Sequence, residues 1–454
     1  MRILIVGGGT VGFSLVKQLS LENHEIAVVE KDPDICQTIS ERSDVLVVNG
    51  SGSTPSALEQ AGINEAEMVI AVTYIDEVNI LVCSLAENYN VKKRIARVRD
   101  HEYSGPNPAV DLSRLGVTQV IDPERAVVDA ICQFIRMPGA TQAASFQDDS
   151  VLMCSYNVPD EVPMSGKSII QIDEIISPNK LLVMAIIRGE TTIIPSGENE
   201  ILPGDQIISI FPKATLDVYL PLLGKSRKSV RKVVIAGDGL TALHLAATLE
   251  NLVETVIWIT PQYNEGIDGA SLLHSTEIIH GDGTDMDVLQ EIHVGTADFF
   301  VGAGKETQDN VMGALLAKSE GVKETIIIST EPRHAPLFHS LGIDHSISPR
   351  LSTAREIMEA VHKGQIWATV PLKNTEIEAV RISASKGSPI TEKPLKIAWK
   401  KMRKGSIVGA IIRNNTMIIP RGDTVIEPGD DVIVLTRTTH IDALQKMFRS
   451  RKKV

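Results

Sequence analysis

Cysteine is scarce in this chain: Cys36, Cys83, Cys132 and Cys154 are the whole supply, with no Cys-x-x-Cys pair and no metal-ligand spacing. That argues against a disulfide framework or a zinc site and leaves reduced structural thiols in a cytosolic protein. A basic excess is missing too. Acids outnumber bases 57 to 45, for a formal charge of −12, which disfavours nonspecific nucleic-acid binding. No uncharged apolar run approaches the ~20 residues of a membrane-spanning helix. Strand-like sequence starts at Arg2-Ile3, so the expectation is a soluble protein without a signal peptide. Any membrane role then runs through a separate partner. At 454 residues the chain is too long for one core, and about three or four domains are expected.

What the chain does have is a duplication. Gly7-Gly8-Gly9-Thr10-Val11-Gly12 is a G-x-G-x-x-G after the apolar run Ile3–Val6, and Glu30 follows eighteen residues after Gly12. The plan restarts with Val233–Ala236 and Gly237-Asp238-Gly239-Leu240-Thr241-Ala242, with Thr260 where the acid should stand. Gly12 matches Ala242 at an offset of 230 residues, Asn79 matches Asn310 at 231, and Pro203-Gly204-Asp205 matches Pro428-Gly429-Asp430 at 225. The repeat unit is about half the chain.

Within each unit a longer α/β segment precedes a shorter β-rich one. Apolar runs at 3–6, 26–29, 45–48, 68–72, 94–98 and 117–121 suit parallel strands buried on both faces. Between the first two, Val11, Leu15, Val16 and Leu19 share one helical face. Asp32-Pro33 and Thr54-Pro55 offer an N-cap followed by proline, and Asp76 is a third plausible cap. The predicted fold is α/β: two doubly wound parallel-sheet domains at 1–136 and 231–364, each followed by a small α+β domain at 140–224 and 366–454. In the small domains Leu181–Ile187, Thr191–Pro195 and Gln206–Ile210 read as strands, with a helix near Leu216–Leu223. Copy two repeats this as Ile407–Ile412, Thr416–Pro420 and Asp431–Leu435. The basic stretches Lys225–Lys232 and Arg449–Lys453 read as solvated segments.

In copy one the strand–turn–helix context gives the glycines a task. Gly7 permits the tight turn, Gly9 lets backbone approach a pyrophosphate, and Gly12 permits close helix packing; the helix N-terminus faces the phosphates. Glu30 would accept hydrogen bonds from the adenosine ribose and repel a 2′-phosphate, favouring NAD over NADP. Thr73 could bond ribose or phosphate, or be an ordinary cap. Val48–Ser53 could flank the adenine or be a plain loop. Arg97, at the end of the fifth strand, is the candidate phosphate partner, while Arg94 and Arg99 read equally as surface ion pairs. In copy two the grips are gone: Glu30 becomes Thr260, Thr73 becomes Gly304, Arg97 becomes Ile328, and Asp238 enters the turn. Losing two charge-assisted hydrogen bonds of about 1.5–3 kcal/mol each lowers affinity on the order of a hundredfold or more.

A dehydrogenase would need a proton-relay group beside the nicotinamide. The segment 140–224 contains no histidine, and its lysines Lys167, Lys180 and Lys213 are scattered. Binding without turnover is the favoured reading, with an NAD-dependent oxidoreductase as the alternative.

The residues Ile5–Gly12, Val28-Val29-Glu30, Gly50–Ser53, Ala71-Val72-Thr73 with Asp76-Glu77 and Asn79, and Arg94–Arg97 together resemble the RCK, or KTN, regulators of potassium transport. The resemblance spans essentially the whole chain and implies two Rossmann-like domains, each with a small regulatory and dimerising domain. It implies NAD(H) contacts at Gly7, Gly8, Gly9, Thr10, Val11, Glu30, Thr73, Tyr74 and Arg97, with ATP or ADP as alternative ligands. It further implies a homo-oligomer, peripheral on the cytoplasmic face of the cell membrane, beneath a potassium-translocating subunit of the Trk type. Thr260 and Ile328 depart from the family pattern. After each sheet comes a helix with an apolar stripe (Val127, Val128, Ile131, Ile135; then Leu351, Ala354, Ile357, Met358, Val361) that suits packing on its own sheet or a dimer contact.

Overall fold

The computed structural model describes the chain except residues 22–23, 105–108, 147–149, 177–179, 190, 227–229, 362–365, 372–376, 401, 403–404, 415 and 451–454. Parts of both basic stretches, 227–229 and 451–453, therefore lie outside the described residues.

The six apolar runs of copy one become β1 (Arg2–Val6), β2 (Glu25–Glu30), β3 (Leu46–Asn49), β4 (Met68–Ala71), β5 (Lys93–Arg97) and β6 (Gln119–Ile121). They pair in parallel in the order β3-β2-β1-β4-β5-β6. Helices cover both faces, so the central strands carry no polar alternation; Ile3–Val6 and Met68–Ala71 are at most 1% exposed. Between β1 and β2, helix Thr10–Leu21 buries Val11, Leu15, Val16 and Leu19 and leaves Lys17 and Gln18 exposed, as its spacing predicts. β6 begins two residues later than expected, because Leu112–Leu115 coils into a 3-10 turn closed by left-handed Gly116.

Of the three expected caps, Asp32 holds, its carboxylate accepting from Asp34 N and Ile35 N at 2.9 and 3.3 Å. Thr54 is in the N-cap position but donates back to Ser51 O at 2.7 Å instead. Asp76 is not the cap of its helix: Ile75 is, and Asp76 turns its carboxylate to Arg99 N and Asp100 N, both across the sheet end.

The second sheet comprises β7 (Gln142–Phe146), β8 (Val151–Asn157), β9 (Leu182–Arg188), β10 (Thr191–Ile193) and β11 (Gln206–Pro212), ordered β10-β9-β11-β8-β7 and antiparallel. The hairpin turn at Arg188-Gly189 is present, with Gly189 at φ +59°. Strands β7 and β8 and helix Ile169–Ile176 had no counterpart in the sequence reading.

Copy two repeats the plan. β12 (Lys232–Ala236), β13 (Thr255–Thr260), β14 (Glu277–His280), β15 (Phe299–Gly302), β16 (Glu324–Ile328) and β17 (His345–Ile347) form a sheet ordered β14-β13-β12-β15-β16-β17. β18 (Ile366–Pro371), β19 (Ile377–Ser383), β20 (Ser406–Arg413), β21 (Thr416–Ile418) and β22 (Asp431–Arg437) form one ordered β18-β19-β22-β20-β21.

The chain divides into two compact units, and the division cuts across the repeat. One holds Met1–Asp129 with Ile328–Arg333 and Ile347–Ala360; the other holds Ala130–Ile327, His334–Ser346 and Val361–Val454. Most of helix Pro349–Val361 thus groups with the first sheet rather than with the sheet it follows. Within the second unit the two small sheets share a core: Phe146, Met153, Met184 and Ile210 pack with Ala410, Ile412, Ile433 and Leu435. Each small sheet is therefore buried on both faces, with its own helices on the outer side.

Ile433 is fully buried in that shared core. Ile433→Ala should lower the unfolding free energy of its unit by about 2–5 kcal/mol in denaturant melts, against under ~0.5 kcal/mol for Ile175→Ala, whose side chain is exposed. Equal effects would contradict a shared core.

Candidate functional site

All strands of the first sheet that surround β1 end on one edge, and the strand order reverses between β2–β1 and β4. A crevice opens at such a reversal, outside the carboxyl ends of the strands. Gly7 leaves β1 at φ +104°, and a Cβ there would press on Thr73 N at 2.9 Å. A Cβ on Gly12 would overlap the Gly7 carbonyl oxygen, so the helix can sit against the turn only with glycine at that place. Thr10 and Val11 open the helix, which puts unpaired backbone N–H groups at the crevice.

Glu30 ends β2. Its carboxylate accepts from Gly8 N at 2.6 Å and from Asp32 N at 2.9 Å, so it is fixed against the glycine turn with lone pairs left over for a ligand. Gly50, Ser51 and Ser53 follow β3, where Ser51 and Ser53 hydroxyls bond each other at 2.8 Å. Thr73 follows β4. Its N–H and hydroxyl both donate to Asn79 Oδ1, at 2.9 and 2.8 Å, and the hydroxyl also accepts from Ile75 N at 3.3 Å, although Ile75 and not Thr73 is the N-cap of the next helix. Asn79 is fully buried, and its amide donates to Thr73 O at 3.1 Å and Arg97 O at 2.8 Å. One side chain thus ties the ends of β4 and β5 together. Asn79 was legible only through the repeat and the family resemblance, since no local pattern marks a buried amide.

Arg97 ends β5, half-buried, with its guanidinium 5.7 Å from the centre of the exposed Tyr74 ring. Its Nε is buried without a hydrogen-bond partner among the described residues. Burial and the neighbouring Arg99 pull its pKa down, opposed by Tyr74, Asp76 and Glu124. An under-satisfied cation at a strand end is suited to an anionic ligand. Arg99 donates to Tyr74 O at 2.6 Å and lies 3.9 Å from Asp76. Arg94 is structural, pairing with Glu87 at 2.9 Å and donating to Val91 O at 2.6 Å.

Glu124, at the start of helix Pro123–Arg136, was not singled out from the sequence. Burial raises its pKa to about 7, helped by Asp122 and Asp76 and opposed by Arg99 and Arg97. Its Oε2 and Asp76 Oδ1 are buried without hydrogen-bond partners among the described residues, although Arg99 Nε lies 3.9 Å from the latter.

Copy two keeps the frame and changes the chemistry. Asn310 repeats the Asn79 strut, accepting from Gly304 N at 2.7 Å and donating to Gly304 O at 2.8 Å. Thr260 is fully buried, and its hydroxyl accepts from Gln262 N at 3.2 Å. Two groups that the sequence reading passed over stand at the turn. Glu265 accepts from Gly239 N at 2.8 Å, and Lys305 donates to Asp238 Oδ2 at 2.8 Å. A cavity of about 240 Å³ opens here, lined by the glycine turn, Asp282, Gly283, Thr284, Lys305, Glu306 and Asp309.

Residues 3–123 and 233–349 match the TrkA-N domain, and residues 380–449 match the TrkA-C domain. The chain belongs to the TrkA family. It is 30% identical over 454 residues to the Trk system potassium uptake protein TrkA of Haemophilus influenzae, covering 99% of each chain. It is 27% identical over 457 residues to TrkA homolog 1 of Methanosarcina mazei, covering 99% of this chain and all of that one. Among solved structures it resembles the GsuK RCK domain (TM-score 0.59, 18% identity, 98% of this chain and 94% of that one). It also resembles a GsuK channel bound to NAD (TM-score 0.60, 17% identity, 98% of this chain and 78% of that one). The TrkA-family fold of tandem Rossmann-like domains with small antiparallel partners accounts for all four sheets. Among the described residues no helix is long and apolar enough to cross a membrane.

Glu124 gives the first crevice a pH dependence. Its folded pKa lies above the usual carboxylate value, so the stability it contributes is full in the acid range and is lost as pH rises through about 7. The same ionisation places a negative charge beside Arg97. Affinity for an anionic nucleotide should therefore fall between pH 6 and pH 8, and Glu124→Gln should flatten that fall in calorimetry. An unchanged pH profile in Glu124→Gln would contradict the assignment.

Proposed function

We propose that the chain is the nucleotide-sensing regulatory subunit of a potassium uptake system, controlling a separate membrane subunit of the Trk type through occupancy of its first crevice by NAD(H). ATP and ADP compete for the same place. The observation that carries this reading is the pairing of an anchored acid, Glu30 on Gly8 N at 2.6 Å, with an under-satisfied cation, Arg97, at the reversal point of a doubly wound sheet. An acid there suits a ribose diol and a cation suits a pyrophosphate. The names of the full-length relatives supply the potassium system, and a neighbour of the same fold is described as bound to NAD.

The ligand contacts are proposed at Gly7, Gly8, Gly9, Thr10, Val11, Glu30, Thr73, Tyr74 and Arg97. Because Thr73 is held by Asn79, its contribution would come through its position more than through a free hydroxyl. The four sequence spans serve as the domains, with the small ones dimerising and regulatory. The protein works as a homo-oligomer on the cytoplasmic face of the membrane, without turnover. A ligand bound between the acid and the cation favours one arrangement of the assembly, and the difference in its affinity for two arrangements sets how far the equilibrium moves.

Stoichiometric NADH binding is expected with no substrate-dependent loss of NADH absorbance. Glu30→Ala and Arg97→Ala should each weaken binding about tenfold or more, since each removes a charge-assisted hydrogen bond, whereas Thr260→Ala should change it little. Potassium-uptake complementation with and without the membrane partner checks the regulatory half. Turnover of a small alcohol or keto acid would overturn the reading in favour of an oxidoreductase.

A further inference from the structure

The glycine turn of the first crevice already has a cover. Gly9 carries no side chain, which opens its backbone to an approaching pyrophosphate. Yet the space that a Cβ there would face holds the Tyr74 ring, with Cε2 at 3.6 Å and the hydroxyl oxygen at 3.9 Å. The centre of the same ring lies 5.7 Å from Arg97 Cζ. One aromatic side chain thus reaches from the phosphate turn to the cation proposed to meet the phosphates. It stands over a guanidinium whose Nε has no hydrogen-bond partner among the described residues.

The backbone that carries the ring is held on both sides. Tyr74 O accepts from Arg99 Nη2 at 2.6 Å, and Ile75 N donates to the Thr73 hydroxyl at 3.3 Å. Tyr74 itself is 64% exposed, so its ring can turn about the Cα–Cβ bond without disturbing a core, as exposed side chains do in picoseconds to nanoseconds. The repeat places Lys305 at this position in copy two, 231 residues on. Its Cε also leans over the second glycine of its turn, 3.9 Å from the place of a Gly239 Cβ, but its Nζ is tied to Asp238 Oδ2 at 2.8 Å. Both copies therefore cover the turn from the same position, and copy one does so with a ring set over a cation.

We propose that Tyr74 is a gate on the first crevice: its ring stands where the pyrophosphate passes and masks Arg97, and it turns outward before a dinucleotide seats. The gate deepens the nucleotide-binding reading and rests on it. A cation–π contact of the strength found at exposed sites keeps the ring closed about two to five times as often as open. The binding-competent fraction, and with it the association rate, is then lowered about three- to sixfold.

Two measurements on the full chain test the gate. Without nucleotide, phenylglyoxal modifies arginines and mass spectrometry follows Arg97, with Arg94 as the internal standard because Glu87 and Val91 O hold its guanidinium. Tyr74→Ala should speed Arg97 modification about threefold or more relative to Arg94. Tyr74→Phe, which keeps a ring, should bring the rate back toward that of the unaltered chain. In the second measurement, stopped-flow fluorescence of NADH separates association from dissociation. Tyr74→Ala should raise the association rate about three- to sixfold, whereas loss of a side chain that only touches bound ligand changes dissociation. The gate is overturned if association is unchanged or slower in Tyr74→Ala while dissociation quickens. An unchanged Arg97 modification rate beside normal NADH binding overturns the gate alone; failure of the unaltered chain to bind NADH overturns the nucleotide reading and the gate with it.

Discussion

A buried carboxamide holds each crevice open. Asn79 spends its oxygen on Thr73 and its amide on the carbonyls of Thr73 and Arg97, and so sets the spacing between two strand ends that side chains alone would not define. Thr73 lies beyond the end of β4, and Arg97 is the last residue of β5. A buried group left without a partner costs about 1–3 kcal/mol, so the strut and the strand ends stabilise one another. Asn310 does the same for Gly304 in copy two. The duplication therefore preserved the frame while the side chains around it diverged.

The divergence is electrostatic. In copy one the acid lies at the edge, fixed to Gly8, and the cation Arg97 has unfulfilled donor capacity. In copy two the acid has moved into the turn and neutralises the only lysine among the cavity-lining residues. Two crevices of one fold thus present different charge arrangements to whatever enters them. Packing the small sheets together through Met184, Ala410 and Ile433 gives those two segments a common core.

Much of this was legible before any coordinates. The six runs of copy one fell within a residue or two of β1–β6, because strands buried on both faces leave unbroken apolar sequence. The glycine turn and Glu30 were legible from spacing, and the loss of Glu30 and Arg97 in copy two from the repeat. Other features depend on partners far away in sequence. Strands β7 and β8 read poorly because Gln142, Ser145 and Ser155 interrupt their pattern, and the second core that buries them comes from residues 379–435. Asp76 looked like a cap, but its partners Arg99 and Asp100 lie more than twenty residues on. Glu265 and Lys305 reach the second turn from a helix and a loop, so no local pattern announces them.

The account's central claim is that occupancy of the first crevice, and not the second, is what a dinucleotide reports. A structure of the full chain determined with saturating NADH tests it most directly. The account requires density in the first crevice, with the ribose against Glu30 and the pyrophosphate reached by Arg97, while Asp238 and Lys305 stay paired. A vacant first crevice with those two side chains turned to solvent, or a dinucleotide seated in the second with the Asp238–Lys305 pair broken, would contradict it.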